Sequence, residues 1–264
     1  MCVGRTGEKT LGVGMASRRY ARAALLLAAA ALAVAGPSHA QSAGDGFLFH
    51  RPGGSWGLYG GFNRASAGSD LFAFVTKQLT LDRGDFSSAT FGSNLAVRLS
   101  PSNDVVFDVS YASVSQRSEF RDWVDQNNLP IEQTTSLLRV PITLSVKHYL
   151  TARGRSISRF AWIPAARALY VGAGAGMMRY KFHQTGDFVD FQTLNVFPDE
   201  FQSSAWTPVL QGLAGIDVSL TQSLVLTGEA RYTWATGPLS RDYVGFNRID
   251  LSGIALTTGL SIRQ

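Results

Sequence analysis

From about residue 55 onward the chain alternates bulky apolar residues with polar, charged or glycine residues at a period of two. In Leu224–Trp234 one face reads Leu224, Leu226, Gly228, Ala230, Tyr232, Trp234, and the other Val225, Thr227, Glu229, Arg231, Thr233. In Trp206–Leu220 the apolar face runs from Trp206 through Leu210, Ala214 and Val218 to Leu220, against Gln211, Gly215, Asp217 and Ser219. The last segment sets Ile254, Leu256, Leu260 and Ile262 against Ala255, Thr257, Gly259, Ser261 and Arg263. Successive side chains of a strand point to opposite faces, whereas a helix repeats every 3.6 residues, so this pattern demands β-structure.

The same alternation marks Ser55–Asn63, Phe91–Leu99, Asp104–Tyr111 and Leu138–Leu150. Leu169–Phe182 is strand-like too, but Gly172, Gly174 and Gly176 hide which face is which. Eight strands result. Their connections alternate in length: short at 100–103 and 221–223, long at roughly 64–88, 117–134, 183–205 and 236–248. Short turns on one side and long loops on the other are the habit of membrane barrels. The fourth-to-fifth link, Thr151–Arg167, is the exception; it carries Arg153, Arg155, Arg159 and Arg167 with no acid.

The N-terminus reads as a secretory leader over residues 1–40. Arg18, Arg19 and Arg22 precede an apolar run from Ala23 to Ala35, and Ser38-His39-Ala40 places small residues ahead of Gln41. Met15, just before the basic cluster, is an alternative start. Residues 41–54 are expected as a periplasmic N-terminal segment and 55–264 as the barrel. Of 24 Lys/Arg and 19 Asp/Glu, five and one fall within 1–40, leaving 19 and 18 and a net charge of +1. The basic balance of the full chain therefore belongs to the leader, which argues against a nucleic-acid partner. The one cysteine, Cys2, lies there as well, so disulfides are not expected to stabilise the rest. After residue 40 no apolar run approaches the roughly 20 residues of a membrane helix. A membrane location then requires a closed barrel, because every backbone polar group needs a partner in lipid.

Alternation alone would also fit a soluble, lipocalin-like barrel with its apolar face inward. The charged set favours the inverse. Arg98, Asp108, Arg139, Lys147, Asp217, Glu229, Arg231 and Arg263 share one face, and the lumen of an eight-stranded barrel is just wide enough for side chains to fill. Mixed signs there are expected to pair into a plug. Ten aromatics near strand ends (Trp56, Phe62, Tyr111, Tyr149, Tyr170, Tyr180, Phe182, Trp206, Tyr232, Trp234) are expected at the lipid–water interface. Two loop segments stand out: Asp70 through Leu79, an amphipathic helix after a Ser69/Asp70 cap, and Ser118–Trp123, an acid, base and aromatic patch. Both are expected to pack over the barrel mouth.

Motifs of catalysis are sparse. His50, His148 and His183 have no metal-ligand spacing, and there is no nucleophile elbow, phosphate loop or cysteine pair. No cofactor and no enzymatic activity are expected. His183-Gln184-Thr185, a histidine near an outer strand end with a hydroxyl two residues on, is what a lipid-modifying activity would use.

The C-terminal stretch resembles the small outer-membrane β-barrel proteins grouped with the OmpA transmembrane domain and the opacity-type porins. The residues that carry the resemblance are Leu226–Tyr232, Gly245–Gly253 and Thr258–Arg263. It implies an all-β, eight-stranded antiparallel up-and-down transmembrane β-barrel in the cell outer membrane, without a cofactor. It also implies contact with outer-membrane lipid and lipopolysaccharide, and recognition by the barrel-assembly machinery through Thr257, Gly259 and Ile262. Gln264 stands where members usually carry a final aromatic residue. The expected role is structural or surface-interacting, as a monomer with a closed lumen; a narrow solute channel and a lipid-modifying enzyme are the alternatives.

Overall fold

Each alternating segment forms a strand in the structure, a computed structural model that describes residues 47–264 except 159, 160, 191 and 194. The expected leader, 1–40, and the start of the following segment lie outside the described residues. The strands are β1 (Gly54–Ala65), β2 (Ser88–Arg98), β3 (Asn103–Val124), β4 (Pro130–Tyr149), β5 (Gly154–Ser158), β6 (Ala161–Pro164), β7 (Arg167–Val189), β8 (Val196–Ser219), β9 (Leu224–Gly237), β10 (Ile249–Asp250) and β11 (Gly253–Arg263), with one helix, α1 (Asp70–Gln78). Eight of them pair antiparallel in a ring, β1-β2-β3-β4-β7-β8-β9-β11. The ring closes where β11 returns to β1, from Ser55 opposite Arg263 to Ala65 opposite Gly253. Closure removes both sheet edges, which is what lets such a sheet stand in lipid.

The barrel is inside out. Leu256, Phe91 and Leu210 are 63%, 62% and 60% exposed, whereas Asp108, Arg139, Glu229 and Arg231 are 1%, 3%, 7% and 9% exposed. A soluble barrel would place these two sets the other way round. The strands are unequal: β3, β4, β7 and β8 have 22, 20, 23 and 24 residues, against 12, 11, 14 and 11 in β1, β2, β9 and β11.

Three expectations are corrected. The stretches 117–134 and 183–205 are mostly ladder rather than loop: β3–β4 and β7–β8 continue as hydrogen-bonded ribbons up to 125–129 and 190–195. Beyond the apolar belt the outer face of a ribbon is wet and carries no apolar stripe, while the inner face stays buried at Ile131, Gln133 and Val189; on the wet face the strands are tied by pairs such as Arg117–Glu132. The first ribbon turns at Asp125, whose carboxylate accepts from the N–H groups of Asn127 and Leu129 at 2.8 and 2.7 Å, while Asn128 takes a left-handed φ of 60°.

The second correction concerns the aromatics. Trp56, Phe62, Tyr111, Trp206, Tyr232 and Trp234 face outward, but Tyr149, Tyr170, Tyr180 and Phe182 are buried in the interior. The three glycines of β7 lie on that inner face with Tyr170, Tyr180 and Phe182, so the odd-numbered Leu169, Val171 and Met177 face out. A Cβ on Gly174 would run into the Ser145 side chain, and one on Gly215 into the Tyr170 hydroxyl. These glycines make room inside a crowded barrel. Third, Ser69 precedes α1 but its hydroxyl caps nothing; the Leu71 N–H donates to Asp70 Oδ1 instead, at 2.9 Å.

Candidate functional site in the lumen and mouth

Three layers of side chains fill the barrel from one end to the other. The central layer is ionic. Asp108 on β3, Lys147 on β4, and Glu229 and Arg231 on β9 all point inward, because positions two and four apart on a strand share a face. Arg231 donates to Asp108 Oδ1 at 2.6 Å and to Glu229 Oε1 at 2.7 Å, and Lys147 Nζ lies 2.8 Å from Glu229 Oε2. Two tyrosine hydroxyls complete the carboxylate shells: Tyr59 donates to Asp108 at 2.8 Å and Tyr170 to Glu229 at 2.8 Å. Each tyrosine lies opposite a glycine on the next strand, Tyr59 facing Gly92 and Tyr170 facing Gly215. With two acids and two bases the layer is neutral, and its charges are desolvated but fully paired.

The second layer closes the end that carries the short turns. Arg153, from the long 150–166 link, reaches back to Asp104 at 2.6 Å and to the carbonyls of Ser100 and Pro101. Asp217 accepts from Tyr149 at 2.9 Å and from Thr227 at 2.8 Å, and Arg263 donates to Ser219 Oγ at 3.0 Å. Trp162, on the small β5–β6 hairpin, is buried beneath the guanidinium groups of Arg98 and Arg263, 5.7 and 5.9 Å from its ring centre. The N-terminal segment is tied to the same residue by reciprocal Leu48–Trp162 backbone bonds of 2.9 Å.

The third layer is apolar and sits in the mouth at the loop end. Leu71, Phe72 and Val75 of α1 are buried against Phe86, Phe182, Met178, Ile249 and Leu251. Phe72 meets Phe86 and Phe182 edge-on, with centroids 4.6 and 5.7 Å apart. The Ser118–Trp123 patch is where β3 grips this lid: Arg121 Nε donates to the Leu79 carbonyl at 2.7 Å, and the Thr80 N–H donates to the Glu119 carbonyl at 2.8 Å. Asp70 joins the first loop to the last, accepting from the Asn247 backbone and side chain at 2.9 and 2.8 Å. Those donors, the Asn247 backbone N–H first, hold the Asp70 carboxyl below its ordinary range. Burial under the lid, reinforced by the charge of Asp242, pushes the Tyr243 hydroxyl up.

The eight sequence-singled charges thus divide. Asp108, Lys147, Glu229 and Arg231 meet in one cluster; Arg98, Asp217 and Arg263 belong to the basal layer; Arg139 joins neither. Thr257 and Gly259 face inward, Thr257 donating to the Glu229 carbonyl at 3.4 Å, while Ile262 faces outward. Sequence reasoning missed Asp104 and Arg153, and it put Tyr149 and Tyr170 on the wrong face. Asp104 was within reach, since 104, 106 and 108 share a face; Arg153 was not, because an irregular link has no period. His183 pairs with Glu200 at 2.8 Å and His148 with Asn103 at 2.8 Å. Among the described residues no group of acids, histidines and cysteines is placed to hold a metal.

A closed antiparallel barrel that is apolar outside and ion-paired inside is the architecture of a membrane-spanning β-barrel. No protein-family model matches the chain, and no curated protein does. Among solved structures, it is similar to Neisserial surface protein A (13% identity, TM-score 0.43, covering 80% of this chain and 96% of that one). It is also similar to Ail, the attachment invasion locus protein of Yersinia pestis (13%, 0.37, 81% and 99%). A third similar structure is the N-terminal β-barrel domain of Pseudomonas aeruginosa OprF (10%, 0.33, 81% and 98%).

Proposed function

We propose that this chain is a non-conducting barrel of the bacterial outer membrane with a structural or surface-interacting role, delivered across the inner membrane by a cleaved leader. The observation that carries the reading is the threefold filling of the lumen. A basal Trp162–arginine layer, an ionic layer and an apolar mouth lie one above another, and the internal cavities at the base and between the ionic layer and the mouth hold about 30 Å³ each. That is space for one or two waters, not for a solute path. The barrel works without a cofactor, as a monomer, and its partners are outer-membrane lipid, lipopolysaccharide and, during insertion through Thr257, Gly259 and Ile262, the barrel-assembly machinery. The four chain reversals at the loop end supply the surface that meets the exterior. Planar-bilayer recording of the folded protein tests this: the expected result is no stable open level, and a steady conductance would refute the plug.

One observation favours an enzymatic reading, the His183–Glu200 pair with Thr185 on the same strand face. Its test is the lipid A profile of cells carrying His183→Ala; an altered profile would replace the structural role with a lipid-modifying one.

A further inference from the structure

The lumen's charges do not all find partners among its own side chains. The central layer is balanced, but Arg139, one turn of the strand pattern nearer the mouth, stands alone. It is 3% exposed, its Nη2 reaches the Phe86 carbonyl at 3.4 Å, and its Nε has no hydrogen-bond partner. Among the described residues it forms no ion pair. Asp250 attracts it from a distance, but that carboxylate is engaged by the N–H groups of Gly68 and Ser252 at 2.8 and 3.0 Å. A buried cation without a counter-charge is among the costliest arrangements a protein interior can hold.

Arg139 borders an internal cavity of about 30 Å³. The space exists because its cross-strand neighbour is Ala112, and the next residue in that row is Thr90. Ser110, Thr233 and Arg231 form the facing wall. Asn63, also on the wall, has a buried Oδ1 with no partner, an acceptor that a water in the same cavity would serve and an anion would not. A water needs roughly 10–15 Å³ of such space, so one or two small occupants fit and a tetrahedral oxyanion does not. Water would satisfy Nε but leave the charge. A single small anion would satisfy both, and the Thr233 hydroxyl on the wall can turn toward it.

We infer that the Arg139 cavity is a binding site for one monovalent, monatomic anion of the halide class, held between the ionic layer and the mouth core. The site is independent of whether the barrel conducts.

The test uses the full chain folded in detergent micelles. At constant ionic strength, replacing gluconate by chloride should raise the thermal unfolding midpoint and saturate; Arg139→Met should flatten that response. Crystals grown in bromide should show an anomalous peak in hydrogen-bond contact with Arg139 Nε. If Arg139→Met does not fold, Ala112→Leu fills the cavity with the arginine retained, and should remove the bromide peak. A chloride-independent midpoint with water alone in the cavity overturns the inference, as does a chloride response that survives both variants.

Discussion

Removing the Glu229 carboxylate is the sharpest test of how the barrel is closed. This one group accepts from Arg231 Nε and Nη2 at 3.1 and 2.7 Å, from Lys147 at 2.8 Å and from Tyr170 at 2.8 Å. The side chains of Lys147, Glu229 and Arg231 are only 9%, 5% and 10% exposed, so solvent does little to screen the loss. In Glu229→Gln the central layer changes from neutral to a single positive charge, held chiefly by Lys147, whose remaining contact is the Tyr170 ring at 4.3 Å. Breaking a buried pair from one side costs about 3–5 kcal/mol, and weakening the bond from the Tyr170 hydroxyl adds about 1 kcal/mol. Lys147→Met in the same chain restores neutrality, because Arg231 and Asp108 still pair. The double variant should therefore recover at least about 2 kcal/mol relative to the sum of the single variants. Urea unfolding in lipid vesicles, followed by tryptophan emission, measures all three. Additive costs, or a Glu229→Gln penalty below about 1 kcal/mol, would show that the cluster is solvated and the lumen wet.

Other outcomes follow from the belt and the lid. Leu144→Arg, in the belt at a side chain 56% exposed, should cost about 2–4 kcal/mol in bilayers; in a soluble barrel the same change would be neutral. Phe72→Ala empties the centre of the mouth core and should cost about 3–5 kcal/mol, read as faster proteolysis between α1 and β2 while the rest of the barrel stays resistant. For Asp70, whose folded pKa is depressed, the contribution to the latch is complete above the ordinary value of 3.8 and is lost as pH falls through the folded value. Amide exchange at 70–78 and 245–250 should accelerate in that acid range in the native chain, and an unchanged rate would remove Asp70 from the latch.

The barrel itself was legible because a strand in its wall meets two unlike surroundings, and residues such as Leu226 and Arg231 record them in turn. Legibility failed where that contrast vanished. Along β7 the inner face is written in Gly172, Gly174 and Gly176, which carry no polarity, so Tyr170, Tyr180 and Phe182 were placed in the belt. Above the belt, Arg117 and Glu132 are both wet, and strand looked like loop. Which inward charges pair was not readable either: Arg98 and Arg139 share a face with Asp108 in the pattern, yet barrel shear and the 150–166 link decide that Arg153 and Trp162 enter the base while Arg139 is left unpaired. The amphipathic stretch at Asp70 through Leu79 was readable as a helix because its apolar side keeps a helical spacing.

The unequal strands give the rim two heights. At roughly 3.3 Å per residue and a tilt of roughly 40°, the 24 residues of β8 rise to about 60 Å and the 12 of β1 to about 30 Å. One half of the mouth is therefore a parapet and the other an open sill, and α1 is carried by the link that leaves the sill from β1. A large molecule meeting the loop end, an antibody for example, finds the parapet on one flank of α1 and the open sill on the other, so the fold biases contact by direction of approach as well as by chemistry.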